Sequence, residues 1–587
     1  MLNTRHDKVT DNMTHRPEIK GQHGIVAAGR HYSVAAGTRI LQAGGNATDA
    51  GVATVFAAAV VEISHFGFGG EAPTIIRDAR SGKVTVINGQ GPAPRAATPE
   101  LFAEQGFVDG NGPLAATLPA VMDAMALALE HFGTMTLAEV MVPAIEYADG
   151  FPMYGFLRAL MVTHRRAAER WEWSKRTYYP DPEVCRVGEI FRQPNLAATL
   201  RAIVAAEQSA ISNGANRETA IRVGRDAFYT GDIAKRIVEA NRAAGGVFCE
   251  EDLAEFHGQL EPAASTRFHH HDIHKAGAWN QGPVLLQTLN LLEGFDLAAM
   301  GHNSERYVHT VHEAIKLAYA DRNAYYGDPE FASVPMQGLL SKDYAAERRA
   351  LIGEHASQEH RPGNPFAFDP DVTQPPVRYQ PHAQGSPAQS GSGDTTCVCV
   401  VDREGNLFSS TPSSGWLLNG AFIAGDTGVP LSNRMQVFDL DPNSPNVLVG
   451  GKRPRTTLSP SIVTRDDAPY LALCTPGGDN QDQQILNVLL GMLVFDFELQ
   501  EAIEAPRINS LHPHQSFGTH ESQPGVLQVE DRIDAQILDA LRERGHKLSV
   551  QGAYGISTGV VAAGVDPVSK TLRGGADVRR ERYAFGW

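Results

Sequence analysis

Short apolar runs and helical spacings alternate near the start of the chain. The run at 24–28 is typical of a buried strand, and apolar positions spaced about 3.6 residues apart predict helices over 35–43 and 49–63. The first helix is expected to end at Gly44-Gly45-Asn46, where a glycine supplies the left-handed cap. Two more strands are predicted at 74–76 and 83–87.

The middle of the chain, 119–350, is predicted to be mostly helical. Apolar residues recur there at helical spacing in five long segments. These segments are 120–132, 137–149, 193–207, 231–244 and 304–325.

The last third of the chain is richer in strand patterns. Predicted strands at 396–401 and 407–410 flank the turn Asp402-Arg403-Glu404-Gly405-Asn406. Others are predicted at 461–464, 470–474, 559–565 and 572–575, with one helix over 484–494. Helices concentrated early and strands concentrated late indicate a layered fold rather than alternating parallel βαβ units.

A candidate nucleophile lies where a flexible segment meets a strand. Residues 375–394 are dense in Pro, Gly, Ser and Gln and are predicted to be a linker that ends at Asp394-Thr395. Cutting that bond would give Thr395 a free α-amine beside its hydroxyl, so that one residue supplies nucleophile and base. An ordinary loop-to-strand junction has the same residues, and the motif alone leaves both interpretations open.

Composition narrows the class of protein. The 587 residues are 42% apolar and 20% charged, as in a globular protein with a large core, and the net charge of -16 disfavours nucleic acid and anionic membrane as partners. Five cysteines in so long a chain do not form a disulfide framework. Residues 1–22 contain no apolar signal-like run, and the longest uncharged apolar stretch, 50–61, is too short to span a bilayer. A cytoplasmic location is expected.

Two further patterns bear on chemistry. Thr475-Pro476-Gly477-Gly478 lies between a predicted strand and a predicted helix, where glycines let backbone N–H groups point into a cleft as an oxyanion hole, although a plain turn has the same composition.

His269-His270-His271 with His274 is interpreted as a solvated loop, because consecutive histidines cannot all face one metal. No metal or organic cofactor is expected. Neither a Gly-x-Ser-x-Gly elbow nor a nucleotide-binding glycine motif is present.

Several motifs in fixed order resemble one family. They are Gly44-Gly45-Asn46-Ala47-Thr48-Asp49-Ala50, Gly69-Gly70, Leu118-Pro119-Ala120, Tyr147-Ala148-Asp149-Gly150, Ala318-Tyr319-Ala320-Asp321-Arg322, Gly393-Asp394-Thr395-Thr396, Lys452-Arg453-Pro454 and Pro476-Gly477-Gly478. The chain resembles the gamma-glutamyltranspeptidases, which are N-terminal-nucleophile (Ntn) hydrolases, over nearly its whole length. The resemblance implies an α+β fold, a four-layer αββα sandwich built from a large subunit, 1–394, and a small subunit, 395–587, cut from one precursor.

The resemblance also implies roles for individual residues. Thr395 takes the place of the nucleophile, with Asp394–Thr395 as the cleavage site, and Ser413 falls where a hydroxyl supports that nucleophile. Gly477 and Gly478 match the oxyanion-hole glycines. Thr456 and Thr457 replace a serine pair that holds the substrate carboxylate.

The departures from the family pattern concern the substrate pocket. Asn88 stands where the family carries a carboxylate-binding arginine, and Val437 stands where it carries an amine-binding aspartate. Arg434, close to Val437, and Arg455, directly before Thr456, are cations that the family pattern lacks. They are expected to clamp a carboxylate beside Thr456 and Thr457.

The expected function is that of an autoprocessing amidohydrolase or acyltransferase, with γ-glutamyl amides such as those of glutathione metabolism as the default substrate. One alternative is an amidase or acylase for a glutaryl- or oxamate-like acyl group without an α-amine. Another is an unprocessed, non-catalytic relative acting as a binding protein. The expected partners are a small-molecule amide and the two subunits of the precursor, and a dimer of that unit is left open.

Overall fold

The computed structural model describes residues 14–375, 377, 379–383, 395–415 and 422–587. Asp394 and most of the predicted linker lie outside these residues. The helices are α1 His31–Gln42, α2 Ala47–Val61, α3 Val121–Phe132, α4 Leu137–Asp149, α5 Gly155–Ala168, α6 Glu172–Tyr178, α7 Pro194–Ser212, α8 Arg217–Tyr229, α9 Asp232–Ala243, α10 Glu250–Ala254, α11 Pro283–Leu292, α12 Leu297–Met300, α13 Glu305–Tyr325, α14 Met336–Leu340, α15 Lys342–Arg349, α16 Gln481–Val494, α17 Leu499–Glu504 and α18 Ala535–Glu543.

The strands divide mainly between two large sheets. They are β1 Ile19–Gly21, β2 Gly24–Ala28, β3 Thr74–Arg77, β4 Val84–Asn88, β5 Phe151–Pro152, β6 Ile190–Phe191, β7 Gln259–Pro262, β8 Ala264–Phe268, β9 His271–Lys275, β10 Val398–Asp402, β11 Leu407–Ser410, β12 Phe422–Ile423, β13 Pro430–Leu431, β14 Ser461–Arg465, β15 Ala468–Cys474, β16 Ile508–Ser510, β17 Val526–Glu530, β18 Lys547–Gln551, β19 Val561–Val565, β20 Leu572–Ala576 and β21 Tyr583–Gly586.

Each large sheet is antiparallel and takes strands from both sides of Thr395. Sheet I has the order β21-β2-β10-β11-β3-β4-β7, and sheet II has the order β1-β20-β19-β15-β14-β9-β8. In sheet I, β10 pairs with β2 on one side and with β11 on the other. The small sheet β16-β17-β18 contains a parallel pair, β17 with β18.

Side-chain alternation along β10 explains the four layers. Val398 and Val400 face the helices α1–α9, while Cys399 and Val401 face the core between the two sheets. Period-2 alternation gives a strand two faces, and both faces of β10 are buried. A second helical layer, including α11, α13 and α16, packs on the outer face of sheet II. The order of layers is therefore helix, sheet, sheet, helix.

All fifteen residues of helix α2 are buried. Its N-terminus is fixed by a capping box, in which the Asn46 side chain accepts from the N–H of Asp49 and the Asp49 side chain accepts from the N–H of Asn46. Gly44 ends the preceding helix with φ +98, as the sequence predicts. Full burial of one large apolar side chain such as Phe56 contributes about 1.5–3 kcal/mol.

One expectation about the middle of the chain is wrong. The histidine segment, expected to be a solvated loop, belongs to the region of the strands β7, β8 and β9 that span most of 259–275. His269 has φ +55 in the tight turn between β8 and β9, while His271 is buried in β9 and His274 contacts the hydroxyl of Thr464. The polar composition hid this hairpin, because β9 is stabilised by pairing with β14, and β8 by pairing with β9, rather than by an apolar pattern of their own.

Candidate active site

Thr395 lies just before β10, between the two sheets. Its side chain is buried, and the next residue is tied to the adjacent strand region by a hydrogen bond from the N–H of Thr396 to the carbonyl of Pro412 (3.1 Å). The Thr395 hydroxyl donates to Oγ of Ser413 at 3.4 Å. The structure thus brings together the predicted nucleophile and the predicted supporting hydroxyl.

Ser413 is held in place by Glu71. The two backbones exchange hydrogen bonds, 2.9 Å from Ser413 N to Glu71 O and 2.8 Å from Glu71 N to Ser413 O. The Ser413 hydroxyl oxygen also accepts the N–H of Gly415 at 3.1 Å. With two donors directed at it, Ser413 Oγ is fixed beside the Thr395 hydroxyl.

The predicted oxyanion loop leaves sheet II at the same end of the sandwich. Strand β15 ends at Cys474, whose thiol donates to the carbonyl of Val398 in β10 (3.6 Å). Gly477 and Gly478 follow with φ +128 and +57, which disfavour any other residue type. A Cβ on Gly478 would also lie 3.1 Å from the Phe517 ring. The loop conformation therefore depends on glycine at both positions.

The Thr456–Thr457 segment runs beside this loop. Thr456 exchanges backbone hydrogen bonds with Trp279 and Gln281, both at 2.9 Å, and its hydroxyl accepts the N–H of Leu458 at 3.3 Å. The Thr457 hydroxyl is buried and has no hydrogen-bond partner within the described ranges. A buried hydroxyl without a partner is costly, and a bound polar group would satisfy it.

Arg434 has an internal counter-ion that the sequence did not predict. Its Nε donates to Oε1 of Glu71 at 2.6 Å, and both side chains are buried. Glu71 Oε2 has no hydrogen-bond partner among the described residues. Burial raises the pKa of the Glu71 carboxyl to about 7, although the Arg434 guanidinium opposes that shift. Arg434 is therefore already paired with Glu71, and a substrate carboxylate would have to compete with Glu71 for it.

The predicted clamp partner Arg455 and the predicted pocket residue Asn88 are engaged elsewhere. The Arg455 guanidinium donates to the Ser516 hydroxyl (3.1 Å), and burial, followed by the nearby Arg322, lowers the pKa of Arg455 to about 9. The Asn88 amide donates to Glu261 (2.7 Å) at the edge of sheet I. Two residues later, the fully buried Gln90 has an Oε1 without a partner in the part of the chain described, which the sequence did not single out.

One cluster away from Thr395 has the spacing of metal ligands. Ligand atoms of His309, Glu313 and His546 lie within 4.8 Å of one another. Glu313 is already paired with Lys316 and with Arg361 (3.2 Å). Because these two cations neutralise the carboxylate, we assign this cluster no metal.

The arrangement around Thr395 defines a class of protein. A buried threonine lies just before a central strand of one sheet, a second hydroxyl contacts it, and a glycine loop leaves the facing sheet at the same end. Between two helical layers, this is the α+β architecture of the Ntn hydrolases, as predicted. No helix in the described ranges is long and apolar enough to cross a membrane.

The gamma-glutamyltranspeptidase family model matches residues 33–587, so the chain belongs to the gamma-glutamyltranspeptidase family. It is similar to the glutathione hydrolase proenzyme of Escherichia coli (strain K12), with 30% identity over 569 residues that cover 93% of this chain and 89% of that one. Among solved structures it is similar to LmbA2991HD, with 37% identity, a TM-score of 0.90 and coverage of 98% and 100%. It is also similar to cephalosporin acylase from Bacillus halodurans, with 28% identity, a TM-score of 0.83 and coverage of 100% and 99%. The prediction of a hydrolase of this family is confirmed.

Proposed function

We propose that this chain is a self-processing amide hydrolase and acyltransferase in which Thr395 forms an acyl-enzyme. The observation that carries the proposal is the contact between the hydroxyls of Thr395 and Ser413 just before a buried central strand. The relative from Escherichia coli is named a proenzyme, which supports cleavage of a precursor here as well. The large subunit would be 1–394 and the small subunit 395–587.

In the precursor, Thr395 Oγ attacks the carbonyl of Asp394, and the C–N bond to Thr395 breaks as the Thr395 nitrogen takes up the hydroxyl proton. Water then hydrolyses the resulting ester, which frees the Asp394 carboxyl group and leaves Thr395 with its hydroxyl and a free α-amine. In the mature enzyme, Thr395 Oγ bonds to the substrate carbonyl while the α-amine of Thr395 accepts its proton. The N–H groups of Gly477 and Gly478 stabilise the oxyanion. The C–N bond then breaks, the proton passes to the leaving amine, and water or another amine takes the acyl group.

The default acyl group is γ-glutamyl, as the family name of the chain indicates. Thr457, with its unsatisfied buried hydroxyl, is proposed to donate to the substrate carboxylate. Val437 provides no counter-ion for an α-ammonium. A buried ammonium without a counter-ion is strongly disfavoured, so Val437 is an argument against an α-amino acyl group.

A second candidate is an acylase for a carboxyacyl amide without an α-amine. It is supported by Val437 and by the similarity to a cephalosporin acylase. Protonation of Glu71 would release the Arg434 guanidinium, which could then bind the acyl carboxylate. An unprocessed binding protein is disfavoured, because the Thr395–Ser413 contact and both loop glycines are intact.

Two substrates that differ only in the α-amine test whether the enzyme prefers a γ-glutamyl group or a carboxyacyl group without an α-amine. We expect purified, processed protein to hydrolyse glutaryl-p-nitroanilide with at least tenfold higher kcat/KM than γ-glutamyl-p-nitroanilide. Faster hydrolysis of the γ-glutamyl compound by the same factor would contradict the acylase candidate and support the default. If neither amide is hydrolysed and the chain stays intact, the binding-protein alternative is the better account.

A cytoplasmic location stays a prediction, which fractionation of cells would test.

A further inference from the structure

Gln281 contacts two separate parts of the proposed active site. It lies just before α11, and its backbone N–H donates to the carbonyl of Thr456 at 2.9 Å. Its side-chain Nε2 donates to the carbonyl of Gly478 at 3.2 Å. One residue from the proposed large subunit thus connects the Thr456–Thr457 segment to the oxyanion loop.

Arg322 on α13 fixes the orientation of the Gln281 side chain. Its guanidinium is fully buried and donates through Nη1 to Gln281 Oε1 at 2.9 Å, while pairing with Asp479. Nη2 donates to the carbonyl of His514 at 2.7 Å. Because arginine only donates, the atom of Gln281 that faces it must be the carbonyl oxygen, and the NH₂ group then points to Gly478.

Tyr319, one turn earlier on α13, holds the next carbonyl of the loop. Its hydroxyl donates to the carbonyl of Asp479 at 2.6 Å, and its ring lies 4.5 Å from the Arg322 guanidinium carbon. The Asp479 carboxylate also accepts the N–H (2.9 Å) and the hydroxyl (2.6 Å) of Ser516. The loop is therefore anchored at the carbonyls of Gly478 and Asp479 and at the Asp479 side chain.

Glycines need this external anchoring. Gly477 and Gly478 have no side chain to restrict their dihedral angles, so the loop conformation that directs their N–H groups depends on contacts made along the loop backbone. The carbonyl of Gly477 is fixed within the loop by the N–H of Asn480 (3.1 Å). The carbonyls of Gly478 and Asp479, which belong to the two peptide units after the donors, are fixed by Gln281 and Tyr319, and they hold the end of the loop in place. An oxyanion hole stabilises charge only if its donors are already aimed when the charge develops.

We propose that Gln281, Arg322 and Tyr319 are positioning residues that hold the oxyanion loop in its active conformation. The inference rests on the proposed function, since it concerns the loop assigned to oxyanion stabilisation there. It adds that catalysis by the small subunit depends on a hydrogen-bonded support contributed by the large subunit. Gln281 and Tyr319 contact loop carbonyls directly. Arg322 acts through the Gln281 side chain and the Asp479 carboxylate, and it is itself held by the carbonyl of His514.

Two mild substitutions test the proposal in the full, processed protein. Tyr319→Phe removes one hydroxyl and keeps the ring, and Gln281→Leu removes the donor to Gly478 while keeping the backbone contact to Thr456. We expect kcat for the better of the two anilides to fall about tenfold or more, below the 10²–10³ loss typical of removing an oxyanion donor outright. KM should change less than about twofold, because substrate binding precedes oxyanion formation.

Gln287→Leu is the matched control. Gln287 is a buried amide on α11 whose Nε2 donates to the Tyr326 hydroxyl at 2.6 Å, and its loss should leave kcat unchanged. A purely structural role for Gln281 and Tyr319 would lower the melting temperature in all three variants and leave kcat of the folded enzyme at the wild-type value. That result would overturn the proposal, as would a rise in KM at constant kcat.

Hydrogen–deuterium exchange gives a readout that does not need turnover. Backbone amides in the peptide covering 477–480 should exchange faster in Tyr319→Phe and Gln281→Leu than in wild type, and at the wild-type rate in Gln287→Leu. Unchanged exchange in all variants would contradict the positioning role. A wild-type protein that hydrolyses no amide would contradict the proposed function instead, and the exchange result would still decide whether these residues hold the loop.

Discussion

At the scale of single residues, the site divides into local motifs and long-range pairs. Thr395, Gly477 and Gly478 belong to contiguous motifs and could be singled out from the sequence. Glu71 could not, because its partner Arg434 is 363 positions away and one sequence does not reveal which distant side chains meet. The sequence alone predicts that the Arg434 side chain is available to bind a substrate carboxylate. The structure gives a buried ion pair instead, and this changes how a substrate carboxylate would bind.

The Glu71–Arg434 pair predicts a pH-dependent KM. The pKa of Glu71 is raised to about 7, so the carboxyl is neutral below that pH and ionised above it. Neutral Glu71 leaves Arg434 available to a substrate carboxylate, whereas ionised Glu71 competes for it. For glutaryl-p-nitroanilide we expect KM to rise as pH increases from 6 to 8, measured by initial rates.

Glu71→Gln is the control for that profile. Glutamine is nearly isosteric, stays neutral, and keeps an oxygen for Arg434, so KM should become independent of pH over the same range. A KM that falls with increasing pH in wild type would contradict the assignment. So would a profile that is the same in wild type and variant, since another group would then control binding.

At the scale of elements, the sequence predicted those with a strong pattern of their own. The strand β2 and the helix α4 have their predicted bounds, because apolar alternation, helical spacing and caps are local properties. The hairpin of β8 and β9 was missed, since its side chains are largely polar and its position depends on β14. Pairing between strands on opposite sides of Thr395 is equally non-local, and it entered only through the family resemblance.

The contact of α2 with sheet I gives a prediction about stability. A Cβ on Gly51 would lie 2.4 Å from the ring of Phe408 in β11, and both residues are buried. Gly51→Ala gains about 1 kcal/mol of helix propensity and loses about 1–3 kcal/mol to overpacking. We expect a lower melting temperature by differential scanning fluorimetry.

Gly155→Ala is the matched control for this substitution. Gly155 begins α5, and apart from its chain neighbours and the backbone of its own helix no described atom lies within 4 Å of the added Cβ, so the melting temperature should stay constant or rise slightly. If Gly51→Ala is as stable as Gly155→Ala, α2 and β11 are not packed as closely as described.

At the scale of the whole molecule, both sheets contain strands from before and after Thr395. In sheet I, β10 lies between β2 and β11, and in sheet II, β14 pairs with β9. A cut before Thr395 would leave two chains joined by sheet hydrogen bonds and by a shared core. The cleaved protein is therefore expected to elute from a sizing column as one particle and to separate only under denaturing conditions.

The central claim is that Thr395 is the nucleophile, and intact-mass spectrometry of denatured protein tests it most directly. Dividing 63.3 kDa in proportion to 394 and 193 residues gives fragments of about 42 and 21 kDa. We expect both in wild type, with the smaller one beginning Thr-Thr-Cys by N-terminal sequencing. Thr395→Ala should give a single species at the full mass. Cleavage at the same bond in Thr395→Ala, or a wild-type chain that stays whole after prolonged incubation, would contradict the account.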